Sequence, residues 1–198
     1  MKDIRNIRPV YLEINLDNLI SNLNGIRNII DKNTMIMAVI KANAYGHGSV
    51  ELAKMYKDIG VERLSVSIIS EAIELREAGI KGPIHLLGNT YKAQVGLVVD
   101  YDIIQGIYNY NDAFELSKAA LEKGKNVKIH LKIDSGMGRI GFLPNEDSIK
   151  EIIKIYELPN IEIEGAFTHF AKADELDKTF TRIQYERFNW VIDRLKQE

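Results

Sequence analysis

Four short segments of this chain carry side chains that do chemistry. They are Lys41-Ala-Asn-Ala-Tyr45-Gly-His47-Gly48, His85 to Gly88, Lys132-Ile-Asp134-Ser-Gly136-Met137-Gly138-Arg139 and Thr168-His169-Phe170. Lys41 follows six residues, Met35 to Ile40, with no charged or hydrogen-bonding side chain. An ammonium beside such a wall loses hydration, which favours the free amine, a nucleophile for a carbonyl carbon. That chemistry is Schiff-base formation, and the competing reading is a strand-end lysine that simply reaches water. Tyr45 offers a phenol to a phosphate oxygen, and Gly46 and Gly48 let the backbone approach a bulky anion closely. The competing reading here is an ordinary turn with a solvent-facing His47.

Lys132 lies among Ile129, Leu131 and Ile133, and alternation puts it on the opposite face from those three, in a barrel lumen or on a wet surface. Arg139 follows two glycines and could aim a planar, permanent positive charge at a phenolate or carboxylate. Arg76 and Arg187 fall in helical stretches and read as solvated. His169 closes a strand, where a histidine serves either structure or proton transfer. His85 and His130 lie within strands and receive no role. The four histidines make no HxH or HExxH pair, so no metal is expected. With no cysteine, the chain has no disulfide, thiolate metal site or cysteine nucleophile.

The elements that must position these groups follow from periodicity. Leu16, Leu19, Ile20, Leu23, Ile26 and Ile30 recur at helical spacing, with Asp17 available as a cap. Met35–Ile40 reads as a strand buried on both faces. Further strands are expected at Arg63–Ser67, Pro83–Leu87, Asp102–Ile107, Val127–Ile133 and Ile161–Thr168. Helices fall between them, among others at Ser70–Ala78 and Asn111–Lys123, and a last one runs from Thr179 to Gln197. Ser70 and Asn111 stand where N-caps belong, Gly79 and Gly124 where helices end. Strands alternating with helices mean parallel α/β, either an open doubly wound sheet or a barrel. A (β/α)8 barrel takes about 250 residues, so six units in 198 residues suggest a TIM-type barrel truncated after about six βα units. In either architecture ligand-binding groups gather at the carboxyl ends of the strands, where the four segments fall.

A formal net charge of −2 gives no broad positive field, so neither nucleic acid nor an anionic membrane is an expected partner. A small molecule is. Residues 1–10 lack the apolar core of a secretory leader, and nowhere do 18 apolar residues run together, which reads as a cytoplasmic protein.

The segment Val39-Ile-Lys41-Ala-Asn-Ala-Tyr45-Gly-His-Gly48 resembles the cofactor-lysine signature of alanine racemases. Ser70-Glu71-Ala72 through Gly79, Leu131-Lys132 through Gly141, and Phe167-Thr168-His169-Phe170 resemble further segments of that family in the expected order. The resemblance implies pyridoxal 5′-phosphate bound covalently to Lys41, which would also act as a base on one face of the substrate α-carbon. It implies Tyr45 at the cofactor phosphate, Leu87 lining the pocket, Arg139 at the phenolic oxygen and His169 beside the ring. Lys132, often a carbamate in the family, would orient Arg139. The implied activity is interconversion of L- and D-alanine for cell-wall precursors by a homodimer. Residues 1–198 would be the N-terminal part of the barrel, without the C-terminal β-domain that carries the opposing tyrosine base and pairs with an early strand at Tyr11–Asn15. This part alone would then be inactive or nearly so. The rivals are a single-domain pyridoxal-phosphate carrier, a decarboxylase of the same cofactor fold group, a barrel hydrolase whose Lys132 carbamate bridges two metals, and a scaffold domain without a ligand.

Overall fold

Alternation along the strands decides which face of the sheet carries helices. In Val127–Lys132, Val127, Ile129 and Leu131 are buried on one side, while Lys128, His130 and Lys132 point to the other. The computed structural model describes residues 10–198, so the reading of residues 1–9 lies outside the described residues. Its strands are β1 (Met37–Val39), β2 (Arg63–Val66), β3 (Ile84–Leu86), β4 (Ile104–Ile107), β5 (Val127–Lys132) and β6 (Ile161–Phe167). They form one sheet in chain order, every neighbouring pair parallel. An open doubly wound sheet reverses its order at a switch point. No reversal occurs here, so the arrangement is six consecutive units of a (β/α)8 barrel.

The helices are α1 (Leu16–Arg27), α2 (Lys41–Tyr45), α3 (Ser49–Asp58), α4 (Ile69–Glu77), α5 (Val95–Asp100), α6 (Tyr110–Glu122), α7 (Glu146–Tyr156) and α8 (Thr179–Leu195). Leu52, Leu75, Val98, Leu116, Ile152 and Val191 on these helices join Leu64, Ile84, Ile129 and Leu131 on the strands in one buried cluster. Each such side chain contributes about 1.5–3 kcal/mol when fully buried. Asparagine side chains cap three helices: Asn15, Asn109 and Asn145 accept from the backbone N–H three residues on. The expected caps Asp17, Asn111 and Ser70 instead lie inside the first turns, because an asparagine two residues earlier, or Ile68 with help from Glu71, takes the extended cap conformation. Gly79 and Gly124 follow their helices at φ 85° and 61°, as expected.

Two further expectations are corrected. Tyr11–Asn15 forms no strand. Arg76 is not solvated: its guanidinium donates to the carbonyls of Tyr101, Ile80 and Asp102, tying the end of α4 to the start of β4, and burial lowers its pKa. Arg187 is exposed as expected, although one nitrogen reaches the Ser135 carbonyl at 3.3 Å. Among the described residues, no helix is long and apolar enough to cross a membrane.

The inner face of the sheet carries a layer of polar groups that sequence reading left unassigned. Between β5 and β6 the register slips: Ile129 faces Ile163 while His130 faces Gly165. Glu164 is therefore the extra residue of a bulge, which re-aims its side chain. Its carboxylate bonds Arg63, His130 and Lys128, and Arg63 also reaches His85 Nε2 at 2.9 Å. The rings of His85 and His130 meet edge to face, 4.4 Å between centroids. A side chain at Gly165 would press within 3.1 Å of the His130 ring, so the glycine makes room for it. His85, His130 and Glu164 bring donor atoms within 4.8 Å of one another, a set that could hold a cation, but the Arg63 guanidinium already bonds two of the three.

This layer makes stability depend on pH. Burial, then the nearby His130 and Arg63, holds His85 down to about 3, and burial also lowers His130. The Arg63 hydrogen bond, followed by those from His130 and Lys128, holds Glu164 well below the usual carboxylate range. The unfolded chain takes up protons at ordinary histidine and glutamate values while the folded chain resists them, so acid favours unfolding. Stability is expected to be full above the ordinary imidazole value of 6.5, to decline below it, and to decline more steeply below the glutamate value of 4.5. Urea midpoints taken across that range would show this, and His85→Asn with His130→Asn would flatten the first decline. A midpoint unchanged down to the glutamate value would contradict it.

Candidate active site

Lys41, Leu87, Arg139 and His169 stand at the carboxyl ends of β1, β3, β5 and β6 or in the loops beyond them, all at one end of the sheet. Lys132 ends β5 itself. The structure therefore gathers every sequence-expected site residue at this end, Tyr45 included.

Lys41 opens α2, a turn of unusual hand. Ala42, Asn43, Ala44 and Tyr45 have φ of 51°, 54°, 51° and 55°, and Gly46 and Gly48 follow at 89° and 94°. Side chains disfavour this left-handed region by roughly 1–2 kcal/mol per residue, so the turn is held from outside. Asn43 Oδ1 accepts from the Ser49 N–H at 2.8 Å, and Glu71 Oε1 accepts from the Ala42 N–H at 2.7 Å. The turn brings the exposed Tyr45 ring back over Lys41, with Nζ 6.0 Å from the ring centroid. His47 faces solvent, its Nδ1 3.0 Å from the Ala44 carbonyl.

On β3, the Leu87 N–H bonds the Val66 carbonyl, and the Leu87 carbonyl accepts from the Tyr108 hydroxyl. Burial pushes the Tyr108 phenol well above its ordinary value, so it stays a donor. Gly88 follows because a Cβ there would lie 2.2 Å from the Ser67 carbonyl oxygen.

Lys132 is 3% exposed and points to the inner face, the lumen side of the two readings weighed from alternation. Among the described residues its one hydrogen-bond acceptor is the Ile133 carbonyl at 3.1 Å, and its Nζ lies 5.4 Å from the Phe167 ring centroid. Burial lowers its pKa, and nearby Arg139 adds to the effect against the pull of Asp134. Asp134 is committed to the backbone: Oδ1 accepts from Gly136 and Gly138, and Oδ2 from Arg139. Burial pushes this carboxyl up, but the three N–H donors and Lys132 outweigh it and hold it below the usual range. These bonds shape the loop that presents the exposed Arg139.

His169 is anchored from α8. Gln184, fully buried, donates to the His169 carbonyl at 3.1 Å and to Ser135 Oγ, and accepts from the Ala171 N–H. Partial burial lowers the His169 pKa, and so do the charges of Arg139, Lys132 and Lys41. Three cations thus act on this ring. Such a site suits an anionic ligand that takes several hydrogen bonds.

Sequence reading missed Glu71, Tyr108 and Gln184 as supports. Gln184 left a signal: it lies four residues from both Phe180 and Phe188, a polar residue on the apolar stripe of α8. Tyr108 and the Arg63 layer left none, since their partners are distant in the chain.

Comparison with known proteins agrees with this arrangement. A family model described as alanine racemase, N-terminal domain, matches residues 14–198. An alanine racemase of Clostridium tetani is 47% identical over 98% of this chain and 50% of its own length. The chain thus spans about half the length of the curated relatives it matches. Among solved structures, an alanine racemase of Clostridium difficile 630 superimposes with a TM-score of 0.91 at 43% identity, covering 93% of this chain and 48% of that one. A histidine racemase of Leuconostoc mesenteroides gives 0.82 at 27%, covering 92% and 48%. With its left-handed Lys41 turn, its glycine-rich arginine loop and this match along nearly its whole length, the chain belongs to the alanine racemase N-terminal domain family.

Proposed function

We propose that residues 1–198 form the cofactor-bearing N-terminal part of a pyridoxal-phosphate-dependent alanine racemase, whose C-terminal β-domain and opposing base are supplied by further chain. The observation that carries this reading is that Lys41, Lys132, Arg139 and His169 stand together at the carboxyl ends of the strands, with Lys132 buried on the inner face next to the loop that presents Arg139. A phosphate and a phenolic oxygen fit such a site, and a primary amine at the strand end fits an aldehyde. When bound, pyridoxal phosphate supplies a conjugated ring that delocalises the electrons left at the substrate α-carbon.

The chain's own residues would do the rest. Lys41 would hold the cofactor through its amine and, once substrate has displaced it, take or return a proton at one face of the α-carbon. Tyr45, exposed on the turn, would donate its phenol to the phosphate. Leu87 would pack against the ring. Arg139, a fixed charge on the Asp134-organised loop, would face the phenolic oxygen. His169 would stay neutral near pH 7 and hydrogen-bond without adding a further charge. Lys132 would react with carbon dioxide as the free amine that its burial favours, its nitrogen bonding the carbon as a C=O pair moves onto oxygen and one amine proton passes to water, and the resulting carbamate would turn a buried cation into an anion that pairs with Arg139. The names of the relatives support a small amino acid, alanine, as substrate, and the family resemblance implies a homodimer as the working form.

Lys41→Ala in the complete protein is expected to abolish interconversion of L- and D-alanine, followed by the change in optical rotation. Residues 1–198 alone are expected to racemise far more slowly than a chain extended by the β-domain. Equal rates would contradict the division of labour. For Lys132, incubation with 13C-bicarbonate is expected to give a carbamate carbon signal that Lys132→Ala lacks. A signal unchanged in the variant would remove that role.

A further inference from the structure

We infer that Glu71 is the positioning residue for Lys41, an inference that rests on the reading of Lys41 as the cofactor lysine. Immediately after Lys41 the backbone changes hand and keeps the left-handed conformation through four residues that all bear side chains. Nothing in Ala-Asn-Ala-Tyr favours that conformation as a run of glycines would. The first N–H of the run, that of Ala42, ends on Glu71 Oε1 at 2.7 Å. The other oxygen of the same carboxylate accepts from Ser67 at 2.8 Å and Ile68 at 3.2 Å, in the loop that leaves β2.

Glu71 therefore does two things with two oxygens. Oε2 caps α4, a local structural duty that a glutamate at the third helical position commonly performs. Oε1 is not needed for that duty. It reaches across to the neighbouring unit and fastens the peptide that follows Lys41 to the end of β2, so that the amine projects from backbone tied to two strand ends rather than from a loose loop. A carboxylate is required because both oxygens accept and neither donates. Glutamine at this position would turn an amide NH2 against one of the two sets of N–H donors, while keeping the size of the side chain.

The test uses isotope-labelled chain, native and Glu71→Gln. Backbone couplings and carbon shifts of Ala42, Asn43 and Ala44 report the left-handed turn, and absorbance titration reports pyridoxal phosphate affinity. The variant is expected to lose the left-handed signature, with β4 and α6 amides unchanged, and to bind the cofactor about ten-fold more weakly, as loss of one charge-assisted hydrogen bond implies. Adding Ala42→Gly and Ala44→Gly to the variant is expected to restore part of that affinity, since glycine takes positive φ without penalty. A variant that keeps the left-handed turn and native affinity, and loses only thermal stability, would show Glu71 to be a cap of α4 and overturn the proposal. If native chain forms no adduct at Lys41, the reading of that lysine fails by itself, and the backbone signature still decides the role of Glu71.

Discussion

Positive groups gathered at one end of a sheet repel one another, and this fold must hold three of them together beside a histidine whose pKa they lower. Lys41, Lys132, Arg139 and His169 reach the same region, and the nearby carboxylate of Asp134 is occupied by three backbone N–H groups. Each of the four groups is held by a different device. A left-handed turn carries Lys41, burial beside Phe167 holds Lys132, the Asp134 loop presents Arg139, and the buried Gln184 ties down the backbone of His169. Without an anion the cluster costs free energy through like-charge proximity and desolvation, and an anionic ligand offsets both.

The inner face is thus layered by charge. Beneath the strand ends, Arg63 is answered by Glu164 and Lys128 by Glu164 and Glu162, with His85 and His130 kept neutral between them, so that layer is self-sufficient. One layer further along the strands the cations are left unanswered. A self-paired layer stiffens the sheet and leaves a ligand no charge to meet, whereas an unpaired one at the open end gives an anion its place. The bulge at Glu164 makes the difference, because it turns a carboxylate into the lower layer instead of letting strict alternation set its direction.

Much of this was legible in the sequence because it depends on local period. The apolar run before Lys41, the alternation around Lys132 and the glycines ending α4 and α6 fixed the strands, the inner face and the direction of the chain. Choosing a barrel over an open sheet needed the strand order, which local period does not carry. Three capping residues were misplaced by two positions each, since several short polar residues compete at a helix start and tertiary contacts choose among them. Arg76 was misjudged for a similar reason: its acceptors are carbonyls of a segment some 25 residues on. Glu71, Tyr108 and the histidine layer act through partners that only folding brings near.

The most direct measurement of the central claim is to add pyridoxal phosphate to the native chain and to Lys41→Ala, record the visible absorbance, reduce with borohydride and locate the adduct by peptide mass. The account predicts a band in the native chain, an adduct on Lys41, and no band in the variant. A band of equal strength in both, with the adduct on another lysine, would contradict it.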